Sequence, residues 1–360
     1  MQNFDLHMHT TYCDGKDTAE AMVLSAIENG LAFAGISGHS FTPHDPSYCM
    51  SRRGTQQYID EIRGLKEKYA DRITLLLGIE LDRYADTDTD PYDYLIGSAH
   101  YIFSEEGKRK WSKMIADHAG EADRSALDAS MQALVKYNDW SDVDDRPEDL
   151  CRFAFGGDSS GEGYEAGPAG TDCCHITPEE RSDRMLRIAE LYFDTVGEIV
   201  EATDCDIIGH FDLLTKFNEG WGFGPAGNVI NKMRCGAAEF VSDIFDTSDE
   251  RYVTAWKRAI DRIFSDCAER YKKGYRNRLE KTGVLEAGDK PVFEINTGAI
   301  SRGYRTVPYP SADQIAYIRS KGGVLILSSD SHAAGTICYD FEEFADLKGD
   351  MKAEPVPGPK

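Results

Sequence analysis

Seven short apolar runs punctuate this chain of 360 residues, and each gives way to a segment with helical spacing or helix-start chemistry. The runs are Phe4–Leu6, Leu31–Ser37, Ile73–Ile79, Tyr92–Ser98, Cys205–Gly209, Pro291–Asn296 and Val324–Ser328. Asp17 or Thr18 can cap a helix that Gly30 ends, and Tyr58, Ile59, Ile62, Leu65 and Tyr69 repeat at helical spacing. Thr177-Pro178-Glu179-Glu180 opens another helix, and a later one falls near Ser311–Lys321. Strand followed by helix, over and over, implies parallel strands joined by crossover connections. The expected fold is α/β, a TIM-like barrel of seven strands. It forms one domain over residues 1–350, with insertions at about 104–181 and 228–279 and a loose tail at 351–360.

The polar residues fall where such a barrel keeps its chemistry, just past the carboxyl ends of the strands: His7 and His9, His39, Glu80, His100, His210, Asn296, and Asp330 with His332. Side chains on a strand repeat every two residues, so His7 and His9 share a face. Two imidazoles on one face are half of a metal site. The pair Asp330-Ser331-His332 repeats the spacing near the other end of the chain. Six of the nine histidines sit at strand ends; His44, His118 and His175 read as surface loop residues. Six imidazoles with Glu80, Asp330 and Asp14 are too many donors for one ion, whereas two or three ions sharing a carboxylate fit the count. No thiolate is expected near these motifs. Asp5 is read either as an acid orienting a ligand histidine or as an ordinary strand-edge hydrogen-bond acceptor. Arg52, Arg53, Lys216 and Arg302 lie in loops after strand ends and are candidates for holding a substrate phosphate.

Composition narrows the partners. A formal charge of −23 repels long nucleic acids and anionic membrane surfaces. No run of about 18 apolar residues is present to span a membrane, and the N-terminus lacks a secretory pattern. The nine cysteines are odd in number and include no Cys-x-x-Cys pair, which points to a reduced, cytoplasmic setting. The glycine-rich stretch from Gly156 to Gly167 lacks the Lys-Ser/Thr of a phosphate loop and reads as part of an insertion. Residues 228–279 read as mostly helical, with Tyr252, Ala255, Trp256, Ala259, Ile263 and Phe264 as a packing stripe or, alternatively, a contact in a homo-oligomer.

The set Asp5-Leu6-His7-Met8-His9-Thr10, Gly38-His39, Gly78-Ile79-Glu80, Gly97-Ser98-Ala99-His100, Gly209-His210-Phe211-Asp212 and Ser329-Asp330-Ser331-His332 resembles the polymerase and histidinol phosphatase (PHP) metallophosphoesterases. Ser51-Arg52-Arg53, Phe293-Glu294-Ile295-Asn296-Thr297 and Tyr309-Pro310 make it most similar to the stand-alone histidinol-phosphate phosphatases. The resemblance implies a distorted (β/α)7 barrel with a trinuclear centre of zinc, manganese or iron. It implies one ion on His7, His9, Glu80 and Asp330, a second on Glu80, His100 and His210, and a third on Asp14, His39 and His332. The implied reaction is hydrolysis of a small phosphorylated substrate, L-histidinol phosphate, in histidine synthesis. The attacking group is a metal-bridging hydroxide held by Glu80, with no protein nucleophile. Alternative readings are a phosphoesterase for small nucleotides or another phosphorylated metabolite, a barrel amidohydrolase, and a metal-dependent binding or regulatory protein without catalysis. Gly38 departs from the pattern, which has an acid before this histidine.

Overall fold

The computed structural model describes residues 2–85, 87–118, 125–134, 140–143, 150, 176–232, 234 and 240–348. The glycine-rich stretch, His175, and the tail from 351 lie outside these residues, as does most of the first insertion. Seven parallel strands run in chain order around the sheet: β1 (Phe4–Asp5), β2 (Phe33–Ile36), β3 (Thr74–Asp82), β4 (Tyr94–Ser98), β5 (Ile207–Ile208), β6 (Val292–Asn296) and β7 (Val324–Ser328). Chain order around a parallel sheet with helical crossovers is TIM-like winding.

The last strand meets the first through unusual chemistry. Met8 and Ser331 form a single parallel bridge, with His9 N–H donating to the Ser331 carbonyl at 2.8 Å. Further down the seam, the Gln2 side chain stands in for backbone: its amide donates to the Leu327 carbonyl at 2.7 Å and accepts from Leu327 N–H at 2.9 Å. Asp5 works on the same seam. Its carboxylate accepts backbone N–H groups from His7, Ser329 and Cys338. It therefore ties the strand ends together and does not orient an imidazole ring.

Inside the barrel, Tyr94 lies across the floor of the site and donates to the Leu6 carbonyl at 2.5 Å. Glycine makes this possible. A Cβ on Gly35 would sit 2.1 Å from the Tyr94 hydroxyl, and one on Gly78 would sit 2.2 Å from the ring.

The outer helices start and stop as their caps dictate. Helix α1 (Ala19–Glu28) is capped by Thr18, and Gly30 follows at φ +72°. Helix α2 (Arg52–Lys68) is capped by Ser51 and buries Tyr58, Ile59, Ile62 and Leu65. Helix α3 (Pro178–Gly197) opens with a full Thr177/Glu180 capping box. Helix α4 (Glu250–Lys272) carries the expected apolar stripe, which packs within the chain: Tyr252 against Phe193 at 5.2 Å and Trp256 against Tyr317 at 5.4 Å. Helix α5 (Ala312–Ser320) precedes β7.

The mostly helical reading of 228–279 needs correction. Its first part joins Trp221–Phe223 in a small antiparallel sheet with Val229–Asn231 and Ser242–Asp243. Gly227 at φ +80° turns the first hairpin, as the Gly224-Pro225-Ala226-Gly227 sequence allows. In the first insertion, helices Glu105–Asp117 and Ser125–Leu134 and a strand Trp140–Asp142, paired with Tyr101–Phe103, are described. Among the described residues no helix is long and apolar enough to cross a membrane.

Because the Tyr94 ring fills the space beside Gly78, Gly78→Ala should destabilise the fold by about 1–3 kcal/mol through overpacking. Urea unfolding would measure this, and an unchanged midpoint would contradict the packing argument.

Candidate metal centre

Each strand end delivers part of one cluster. His7 and His9 flank Met8, whose buried side chain turns the opposite way into the core, so the period-two rule places both imidazoles inward. His39 lies beyond β2 and forms a bridge with Glu80. Glu80 sits within β3, which runs to Asp82, beyond the sequence-expected end at Ile79. His100 and His210 each stand two residues beyond their strands, β4 and β5. Asp330, at φ +46°, and His332 follow β7. A Cβ on Gly298 would lie 2.8 Å from the Asp330 carboxylate, so glycine there leaves the room that this acid occupies.

All nine sequence-expected ligands meet. Three groups have ligand atoms within 4.8 Å of one another: His9, Asp14, His39 and His332; His7, His9 and Asp330; and His39, Glu80 and His100. His210 joins through Nε2, 2.8 Å from Glu80 Oε1. His9 and His39 each belong to two groups, so the cluster is more interlocked than three separate sets.

Glu80 is the common centre. Its oxygens lie 3.1 Å from His7 Nε2, 3.0 Å from His39 Nδ1 and 3.3 Å from His100 Nε2. Burial works to raise the Glu80 pKa, but the charges of His39, His7 and His100 outweigh it and hold the group well below the usual carboxylate range. His9 is pushed down to about 3 by burial and by its neighbours His332 and His39. His7 goes the other way: burial is outweighed by Glu294, Glu80 and Asp330, which raise it well above its ordinary value.

The donor set fits divalent ions. His7 Nε2, His9 Nε2 and Glu80 Oε2 are buried and make no hydrogen bond, yet all face the same cluster. Metal-ready nitrogen and oxygen lone pairs gathered in a dry space call for a cation between them.

Outside this ring stand carboxylates that the sequence reading missed. Glu294 Oε1 lies 2.7 Å from His7 Nδ1. Asp82 accepts from His100 N–H at 3.0 Å and lies 3.5 Å from its Nδ1. Partners of this kind fix which imidazole nitrogen faces a metal. A thiol, unremarked in the sequence reading, also stands nearby: Cys13 Sγ is 3.5 Å from His9 Nδ1. Burial raises that thiol to about 12, so it stays protonated. A Cβ on Gly38 would meet the same sulfur at 3.2 Å, so Cys13 and Met50 fill the space where an acid would stand. His44 is not a surface residue; it is buried against Tyr101, Phe103 and Trp111.

The four basic candidates separate. Arg302 donates to His332 Nδ1 at 2.8 Å and to Asp330 at 3.2 Å, at the cluster itself. Lys216 is buried, with its ammonium 4.7 Å from the Tyr304 ring. Arg52 is engaged elsewhere, by Asp128 at 2.6 and 2.9 Å and by the Phe41 ring, and Arg53 is exposed on the first turn of α2.

Residues 5–152 match the PHP domain. His210, Asp330 and His332 lie beyond the matched residues, and the fold brings them to the same cluster. A probable histidinol-phosphatase of Deinococcus radiodurans is 30% identical over 114 residues, covering 27% of this chain and 42% of that protein. A histidinol-phosphatase of Bacillus subtilis is 29% identical over 121 residues, covering 28% of this chain and 45% of that protein. The chain thus spans less than half the length of these curated relatives. Two solved structures share the fold. One, provisionally named histidinol phosphatase, from Listeria monocytogenes, has a TM-score of 0.55 at 16% identity, covering 95% of this chain and 99% of that one. The other is histidinol phosphate phosphatase from Lactococcus lactis, complexed with zinc, L-histidinol and phosphate. Its TM-score is 0.50 at 15% identity, covering 96% of this chain and 92% of that one.

Because a Cβ at Gly298 would press on Asp330, Gly298→Ala should lower the bound metal per chain while leaving the circular dichroism unchanged. Elemental analysis of the purified variant checks this; wild-type metal content would show that Asp330 needs no such room.

Proposed function

We propose that the PHP centre holds two to three divalent ions, zinc, manganese or iron, and that the chain is a phosphomonoesterase acting on L-histidinol phosphate. The observation that carries this is the buried set of converging atoms that make no hydrogen bond, His7 Nε2, His9 Nε2 and Glu80 Oε2, with the Arg302 guanidinium on the adjoining Asp330. The zinc, L-histidinol and phosphate named for the Lactococcus protein support the same chemistry here, the last two being the products of that hydrolysis. His7, His9, Glu80 and Asp330 would hold one ion, Glu80, His100 and His210 a second, and Asp14, His39 and His332 a third. When bound, such ions lower the pKa of water and neutralise charge on phosphoryl oxygens.

The chain's own residues supply the rest. The Arg302 side chain keeps a quarter of its surface open, and its planar fork suits two phosphate oxygens. Lys216 adds a compact positive charge beside the Phe217 and Tyr304 rings. Cys13, protonated and packed, is no nucleophile, and in this reading water supplies the oxygen that bonds to phosphorus. The ester P–O bond breaks, giving the alcohol and inorganic phosphate.

His9→Ala or Glu80→Ala should cut turnover by more than the roughly 10–100-fold typical of losing an outer partner, with circular dichroism retained. Unchanged turnover in either variant would refute the ligand assignment. A phosphate-release panel of histidinol phosphate, nucleoside monophosphates and cyclic nucleotides should favour histidinol phosphate. Faster release from a nucleotide would reassign the substrate, and fewer than one ion per chain by elemental analysis would remove the centre.

A further inference from the structure

Glu294 lies in β6, 1% exposed, with four donors converging on its two carboxylate oxygens. Oε1 faces His7 Nδ1 at 2.7 Å and accepts from the Ser328 hydroxyl at 2.8 Å. Oε2 accepts from His210 N–H at 3.1 Å and from the Asn296 side-chain amide at 3.1 Å. A carboxylate offers about four lone-pair positions. Each is taken, so Glu294 has no lone pair left for a metal ion, although it touches two of the proposed ligands, His7 through its ring and His210 through its backbone.

We propose that Glu294 is a positioning residue that aligns both halves of the metal centre from one buried carboxylate. This rests on the metal-centre reading above. Through Oε1 it makes His7 Nδ1 the donor, which turns Nε2 toward Glu80 at 3.1 Å and Asp330 at 3.7 Å. Through Oε2 it pins the backbone where the chain leaves β5, which sets His210 Nε2 at 2.8 Å from the other Glu80 oxygen. The two imidazoles, with ring centres 6.0 Å apart, thus take their places around Glu80 from a single anchor. Ser328 and Asn296, on β7 and β6, hold the anchor itself.

Only an acceptor on both sides can do this. Glutamine has the same shape but carries an amide NH2 on one side: turned one way, that group faces two N–H donors, His210 and Asn296; turned the other, it makes His7 Nδ1 and the Ser328 hydroxyl accept, which reverses the His7 tautomer. Turned to keep His7 and Ser328, it loses the His210 N–H and faces the Asn296 amide. Changing Asn296 to aspartate then gives the glutamine NH2 an acceptor and keeps the Asn296 Oδ1 contact with Gly298 N–H.

The test uses the full chain, metal-stripped and titrated with zinc, in wild-type, Glu294→Gln, Glu294→Ala and Glu294→Gln/Asn296→Asp forms. Glu294→Gln should weaken zinc binding by roughly 10–100-fold, while the double variant recovers part of the loss. In the metal-free protein, nitrogen-proton NMR of the histidine side chains should show a hydrogen-bonded proton on His7 Nδ1 that is lost in Glu294→Ala. Wild-type zinc affinity in Glu294→Gln, or a double variant no better than the single one, would overturn the proposal. Persistence of the His7 proton in Glu294→Ala would overturn it too, and that measurement needs no metal. Failure of the wild type itself to bind zinc would instead sink the metal-centre reading.

Discussion

The architecture turns on one buried anion. Glu80 is taken out of water at the mouth of the barrel, and an isolated carboxylate there would cost several kcal/mol. It is tolerated because four strand ends point five imidazoles at it, from His7, His9, His39, His100 and His210. Those histidines are themselves desolvated, so neither side is content alone. The arrangement makes sense as a cage that trades its solvation for cations, with a rim of fixed charge in Arg302 and Asp14.

Much of this was legible in the residues. Alternating side-chain direction placed His7 and His9 together, and the strand–helix rhythm gave the seven-strand barrel in its correct chain order. The same spacing rule puts Glu80 and Asp82 on one face, but the reading of the residues did not single out Asp82. Glu294 was hidden differently. An acid inside the apolar run Pro291–Asn296 was itself the signal, because a charge in a buried strand needs partners. His44 could not be found, since its aromatic box is assembled from residues more than fifty positions away. The small antiparallel sheet around Val229–Asn231 was obscured by the long charged helix after it, which dominated the reading of the whole segment.

The substitution pattern around the cage shows how local sterics set chemistry. Gly38 and Cys13 share one volume, Gly298 clears another for Asp330, and Gly35 and Gly78 admit the Tyr94 ring beneath. Each glycine is explained by what its neighbour must do, and together they let polar and aromatic groups approach the backbone more closely than any side chain would allow.

The seam between β7 and β1 carries a temporal consequence. His7 and His9 are synthesised more than three hundred residues before Asp330, His332 and the Ser331 bridge that completes their surroundings. A nascent chain therefore holds half a cage while the intervening residues are made, with Gln2 still waiting for Leu327. Long-range closure of this kind makes barrel completion and cation capture late and mutually dependent events.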